Sequence, residues 1–140
     1  MPKLRVLVAD DHRAVRLAMT RLLEGEFEVI GSATDGRDLI DAAMTLHPDV
    51  IATDIFMPFL TGPQAMEVVR ATGLHIPFVL VSTDPTGMEE YFEAGALGFV
   101  HKMDMAYELA PAIAAASRGE AYVSRAAIHE VSVQCKAAAR

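Results

Sequence analysis

The sequence predicts a doubly wound parallel α/β sandwich, a (βα)5 three-layer fold with sheet order 2-1-3-4-5, and three observations carry that prediction. Short runs of β-branched and large apolar residues recur along the chain between turn residues, as strands buried on both faces require. Between these runs the apolar residues switch to helical spacing, the mark of helices packed on one side. Acidic, hydroxyl and basic side chains collect just after the runs, where the carboxyl ends of parallel strands open a binding crevice.

Leu4 to Ala9 reads as the first strand and ends in the acid pair Asp10-Asp11. His12 to Glu24 follows as a helix: Val15, Met19, Leu22 and Leu23 share a face, and Gly25 closes the segment as a C-cap. Phe27 to Ala33 is a second strand. Asp35 is placed to cap a second helix, buried along Leu39, Ile40, Ala43 and Met44 and ending by Pro48. Val50 to Thr53 forms the third strand and delivers Asp54; Met57-Pro58 stops it, because proline has no amide hydrogen for the ladder. Gly62-Pro63 opens a third helix, with Met66, Val68 and Val69 as apolar contacts.

Pro77 to Val81 is a fourth strand that presents Ser82, Gly87 to Ala94 a short helix, and Leu97 to His101 a fifth strand followed at once by Lys102. Asp104 to Arg118 is an alanine-rich fifth helix. A proline inside a helix costs about 3 kcal/mol or a kink, so a bend is expected near Tyr107 to Pro111. Arg125 to Lys136 is a further helix, with Ile128, Val131 and Cys135 on one face.

The length of 140 residues suits one domain with a single core. No apolar run approaches a membrane span and the start shows no signal-peptide pattern, so the chain is expected in the cytoplasm. A single cysteine, Cys135, excludes an internal disulfide. The net charge of -7 without a basic cluster argues against direct binding of nucleic acid.

In the predicted order the first and third strands are neighbours, which brings Asp10, Asp11 and Asp54 together; the fourth and fifth bring Ser82 and Lys102 to the same edge. Two unit charges about 4 Å apart repel by roughly 4 kcal/mol at an effective dielectric near 20, so a third carboxylate calls for positive charge. Magnesium, a hard cation that keeps waters and accepts carboxylate oxygens, answers this, and Lys102 adds a second positive charge. Metal, lysine, hydroxyl and a carboxylate form a seat for a phosphoryl group, with Asp54 able to act as nucleophile. The competing reading of the acids and Lys102 is an ion-pair cluster that only holds the sheet edge. Ser82 also fits an ordinary strand-end hydroxyl, and Phe99 a core aromatic. The five histidines, His12, His47, His75, His101 and His129, read as surface or loop residues.

These residues resemble the receiver domain of two-component response regulators, a flavodoxin-like fold. Val6-Leu7-Val8-Ala9-Asp10-Asp11 is similar to its first strand and acid pair, and Asp54-Ile55-Phe56-Met57-Pro58 with Gly62 to its phosphoacceptor loop. Val79-Leu80-Val81-Ser82 and Gly95-Ala96-Leu97-Gly98-Phe99-Val100-His101-Lys102 are similar to its last two motifs. The likeness runs from about residue 3 to 119, with the motifs in order. It implies that Asp54 accepts phosphate from a sensor histidine kinase. It also implies that Asp11, Asp54 and the Phe56 backbone carbonyl hold Mg2+, with Asp10 acting mainly through water. Ser82, Thr83, Phe99 and Lys102 would form the phosphate-binding and switch set.

Several positions depart from the family pattern. Thr83 stands for a usual alanine, Thr61 for a usual Asp or Asn, and Met103 for a proline that often follows the lysine in a cis bond. The segment from Ser82 to Gly95 is short, and Pro85 with Gly87 lowers its helix propensity. Arg118 to Ser124 resembles the end of receivers in LuxR/NarL-type regulators, which continue into a helix-turn-helix domain. Residues 1–119 are therefore expected to form the receiver, and 120–140 a helical extension that is either a linker or a dimerisation segment. The alternative is an interaction module, with a second copy of the chain as partner, whose activity does not depend on phosphorylation.

Overall fold

Alternation along the strands sorts the core into two layers. The computed structural model describes residues 2–138, with side chains through residue 132. The apolar runs form β1 (Arg5–Ala9), β2 (Glu28–Ala33), β3 (Val50–Asp54), β4 (Phe78–Ser82) and β5 (Gly98–His101). The helices are α1 (Arg13–Leu23), α2 (Gly36–Leu46), α3 (Gly62–Ala71), α4 (Met88–Glu93) and α5 (Met105–Ser117), the last preceded by a 3-10 turn over Lys102–Asp104. A two-residue strand β6 (Tyr122–Val123) and a helix α6 (Arg125–Ala138) complete the described chain.

Every pairing is parallel and the sheet order is β2-β1-β3-β4-β5-β6. The expected order 2-1-3-4-5 holds, and β6 extends it past β5. Two residues carry no readable period, so this strand is written by its partner: Tyr122 N donates to Leu97 O at 2.9 Å and Ser124 N to Phe99 O at 2.9 Å. Because side chains alternate, Leu7, Ile51, Leu80 and Phe99 face α2 and α3, while Val6, Val8, Val79 and Val100 face α1 and α5.

The caps follow their chemistry. Asp35 accepts from Asp38 N at 2.8 Å, and Thr61 with Gln64 closes a capping box at α3, where Pro63 sits in the first turn. Gly25 does not act as a left-handed cap: α1 ends at Leu23 with right-handed Glu24, and among the described residues His47 is the helix C-cap that turns left-handed, at φ 48.

Several helix faces differ from the reading by periodicity. Val68 and Met44 lie on solvent-facing flanks, 41% and 40% exposed. Among the described side chains of α6 the buried one is Ala127, while Ile128 is 55% exposed, since a helix lying against a sheet edge buries a narrow stripe. The side chain of Cys135 falls outside the described residues. Helix α5 runs through Pro111 as one element, with that residue on the exposed side. No helix among the described residues is long and apolar enough to cross a membrane.

Candidate functional site

The register of β1 against β3 pairs Ala9 with Thr53, so Asp10 and Asp54 emerge side by side from two strand ends. Asp10 is fully buried and Asp54 is 6% exposed. Each carboxylate has one oxygen tied locally: Asp10 Oδ1 accepts from His12 N at 2.8 Å, and Asp54 Oδ1 from Ile55 N at 2.8 Å. The other two oxygens flank Lys102 Nζ, at 3.2 Å for Asp10 Oδ2 and 3.5 Å for Asp54 Oδ2. Lys102 reaches them because β5 ends one residue before it, in register with Ser82 of β4.

Asp11, more exposed, joins the group, and ligand atoms of Asp10, Asp11, His12 and Asp54 all lie within 4.8 Å of one another. His12 Nδ1 stands 3.2 Å from both Asp10 Oδ1 and Asp11 Oδ1. Ser82 is buried at the next strand end, where its Oγ accepts from Asp84 N at 3.1 Å, and Thr83 is exposed beside it. Phe56 sits two residues past Asp54 and is 66% exposed. Phe99 is fully buried, in the same apolar cluster as Ala127 of α6.

Two contributors were not legible as such. Gly62 carries the start of α3 directly over the Asp54 backbone: its N donates to Ile55 O at 2.7 Å, and a Cβ there would come 2.3 Å from Asp54 O. Gly62→Ala is therefore expected to destabilise by about 2 kcal/mol, through overpacking against backbone that cannot yield; urea unfolding measures it. His101, read as a surface residue, is 6% exposed because β6 and α6 cover the β5 edge. Only the spatial partners of this histidine, distant in sequence, could have signalled it.

Burial is the main force raising the pKa of Asp54 above its ordinary 3.8, and Asp10 adds to it; Lys102 and the Ile55 amide act in the opposite direction. An acid with a raised folded pKa keeps its proton to higher pH in the fold than in the unfolded chain. Its contribution to metal-free stability thus falls as pH rises past the ordinary value, and stays lower above the raised one. In chelator, Asp54→Asn is expected to gain stability over wild type between acid and neutral pH, and to match it at the acid end. Chemical denaturation across that pH range tests this, and a gain that shrinks as pH rises would contradict it.

The donor set suits a hard divalent cation. Asp10 Oδ2 is buried with no hydrogen-bond partner, since Lys102 Nζ lies within ion-pair distance but off hydrogen-bond geometry. A buried, unsatisfied carboxylate oxygen beside two more carboxylates is what a hard divalent cation, which takes oxygen ligands, satisfies.

Comparison with known proteins agrees with this geometry. Residues 6–114 match the response regulator receiver domain. The chain is 39% identical over 122 residues to the transcriptional regulatory protein LiaR of Bacillus subtilis, covering 84% of this chain and 57% of LiaR. Among solved structures, the signal receiver domain of NarL from Mycobacterium tuberculosis superposes with a TM-score of 0.80 at 31% identity, covering 86% of this chain and all of that one. A two-component response regulator of the LuxR family from Aurantimonas sp. SI85-9A1 gives 0.86 at 26% identity, over 94% and 97% of the two chains. The chain spans just over half the length of LiaR. With its acids, hydroxyl and lysine gathered at the strand ends of a parallel sheet, this chain belongs to the response regulator receiver family, with LuxR- and NarL-type regulators among its relatives.

Proposed function

We propose that this receiver takes a phosphoryl group from the phosphohistidine of a sensor histidine kinase onto Asp54, and that the modified surface controls an output, transcription being the one its relatives suggest. The observation that carries this reading is the pose of Asp54: Oδ1 is tied to the Ile55 amide, while Oδ2 faces Lys102 Nζ at 3.5 Å. In the transfer, Oδ2 forms the bond to phosphorus as the donor P–N bond breaks, and the leaving imidazole keeps the electron pair. Lys102 neutralises charge on the phosphoryl oxygens. Ser82 would hydrogen-bond one of them, with exposed Thr83 beside it.

Asp10, Asp11, Asp54 and the Phe56 carbonyl are the residues that would hold Mg2+, which when bound supplies positive charge to the transferring group. The chain is a phosphoacceptor whose only catalysis is its own phosphorylation and dephosphorylation, acting in the cytoplasm. Residues 1–119 serve as the receiver and 120–140 as the segment leading to an output or to a second copy of the chain. Its net charge of -7 supports an output exerted without direct DNA contact by these residues.

The test is a magnesium titration followed by amide NMR, with and without beryllofluoride as phosphoryl mimic. Changes centred on Asp11, Asp54, Ser82, Phe99 and Lys102 are expected. A spectrum indifferent to both magnesium and the mimic would rule the reading out.

A further inference from the structure

The turn that aims Lys102 is held from outside by a segment distant in sequence. Met103 is 74% exposed and no peptide bond among the described residues is cis, so neither packing of that side chain nor a cis-proline sets the turn. The work falls to His101. Its amide donates to Ser124 Oγ at 2.8 Å, its Nδ1 accepts from Met103 N at 3.2 Å, and its Nε2 lies 2.9 Å from Glu130 Oε1. A backbone N–H can only donate, so Nδ1 carries the lone pair and Nε2–H donates to Glu130.

The same segment is clamped a second time, just beyond Lys102. A helix start leaves unpaired N–H groups, and α6 finds acceptors for two of them on the turn and α5: Ala126 N donates to Asp104 Oδ2 at 2.8 Å and Arg125 N to Glu108 Oε2 at 3.1 Å. The Tyr122 hydroxyl donates to Glu108 Oε1 at 2.8 Å; burial and this carboxylate push the phenol up to about 12, which keeps the donor protonated. Residues 101, 104 and 108 are thus held directly by Tyr122 to Glu130, and Met103 through His101, with Lys102 between them.

We propose that Tyr122–Glu130 is a strap that positions Lys102, with Ser124 and Glu130 as positioning residues acting through His101. Occupancy of the acidic pocket and docking of α6 on β5 are then coupled. This rests on the reading of the pocket as a phosphoacceptor site, and extends it by giving the extension after α5 a role in the pocket itself. Coupling between two sites is reciprocal: if a docked strap favours phosphoryl binding, phosphoryl binding must tighten the strap by the same factor.

The experiment uses the full chain with magnesium and beryllofluoride, read by affinity and by amide hydrogen exchange over residues 125–131. In wild type the mimic is expected to slow exchange in that stretch. Glu130→Ala is expected to weaken binding of the mimic about tenfold and to lose the slowing. Glu130→Gln, whose amide oxygen still accepts from Nε2–H, restores both. Tyr122→Phe, which removes only the hydroxyl at the other clamp, shifts affinity the same way by a smaller factor.

The strap is overturned if Glu130→Ala binds the mimic as tightly as wild type, or if exchange in α6 ignores the mimic while pocket amides respond. A weakened Glu130→Ala that Glu130→Gln does not rescue also overturns it. Wild type that fails to bind the mimic at all removes the phosphoacceptor reading and the strap together, so the two failures are told apart by the wild-type titration alone.

Discussion

Asp54→Asn is expected to abolish labelling of the chain by a small phosphodonor such as acetyl phosphate, and by a phosphorylated histidine kinase, in the presence of magnesium. Intact-mass spectrometry reads this directly as loss of the increment of one phosphoryl group. The physical ground is that an amide oxygen cannot serve as the nucleophile that a carboxylate oxygen provides, while the side-chain shape is unchanged. The neighbouring acids do not substitute. Asp10 is fully buried where Asp54 keeps 6% exposure, and Asp11 is on the open rim. Labelling that persists in Asp54→Asn at the wild-type level would move the phosphoacceptor elsewhere. The same variant is expected to fold at least as stably as wild type without metal, which separates loss of chemistry from loss of structure.

Lys102→Met is expected to act on two quantities at once. Phosphorylation by the small donor slows by roughly a hundredfold, the size of effect seen when one preorganised charge is removed from an anionic transition state. Metal-free stability falls by about 3 kcal/mol, because Asp10 and Asp54 lose the cation between them and leave an uncompensated buried charge. Magnesium then recovers more stability in Lys102→Met than in wild type, since the ion takes over part of the neutralisation. Urea unfolding in chelator and in magnesium, with rates taken by stopped flow, gives the comparison. A variant as stable as wild type in chelator would mean that the ammonium group contributes no net stabilisation to the acid pair.

Much of this architecture is written locally. The both-faces-buried character of Val50 to Thr53 follows from an unbroken apolar run, and the parallel order follows from strands that alternate with helices. Once the order is known, adjacency of Asp10 and Asp54 is a matter of register, so the acid pocket could be read before any coordinates. The capping of α2 by Asp35 was legible for the same reason, since the cap bonds only three residues ahead.

What escaped the reading depends on contacts between segments far apart in the chain. His101 looks like any polar residue at a strand end until β6 and α6 close over it; Ser124 and Glu130, its partners, lie 23 and 29 residues away. Gly62 reads as a helix start, and its closeness to the Asp54 carbonyl is visible only when α3 is packed in place. Pro111, by contrast, did not hide its helix: one is expected over Asp104 to Arg118, and α5 runs through the proline with Leu109, Ala112, Ile113 and Ala116 burying one flank against the sheet.

Periodicity and strand-end chemistry, which are properties of neighbouring residues, determined the sheet, its order and the acidic crevice. The tertiary structure alone decided which carboxylate oxygen is left without a partner, where the Lys102 ammonium points, and that the segment after α5 closes the β5 edge. Those outcomes depend on desolvation and on hydrogen bonds that form only when distant segments meet, and no local pattern records them.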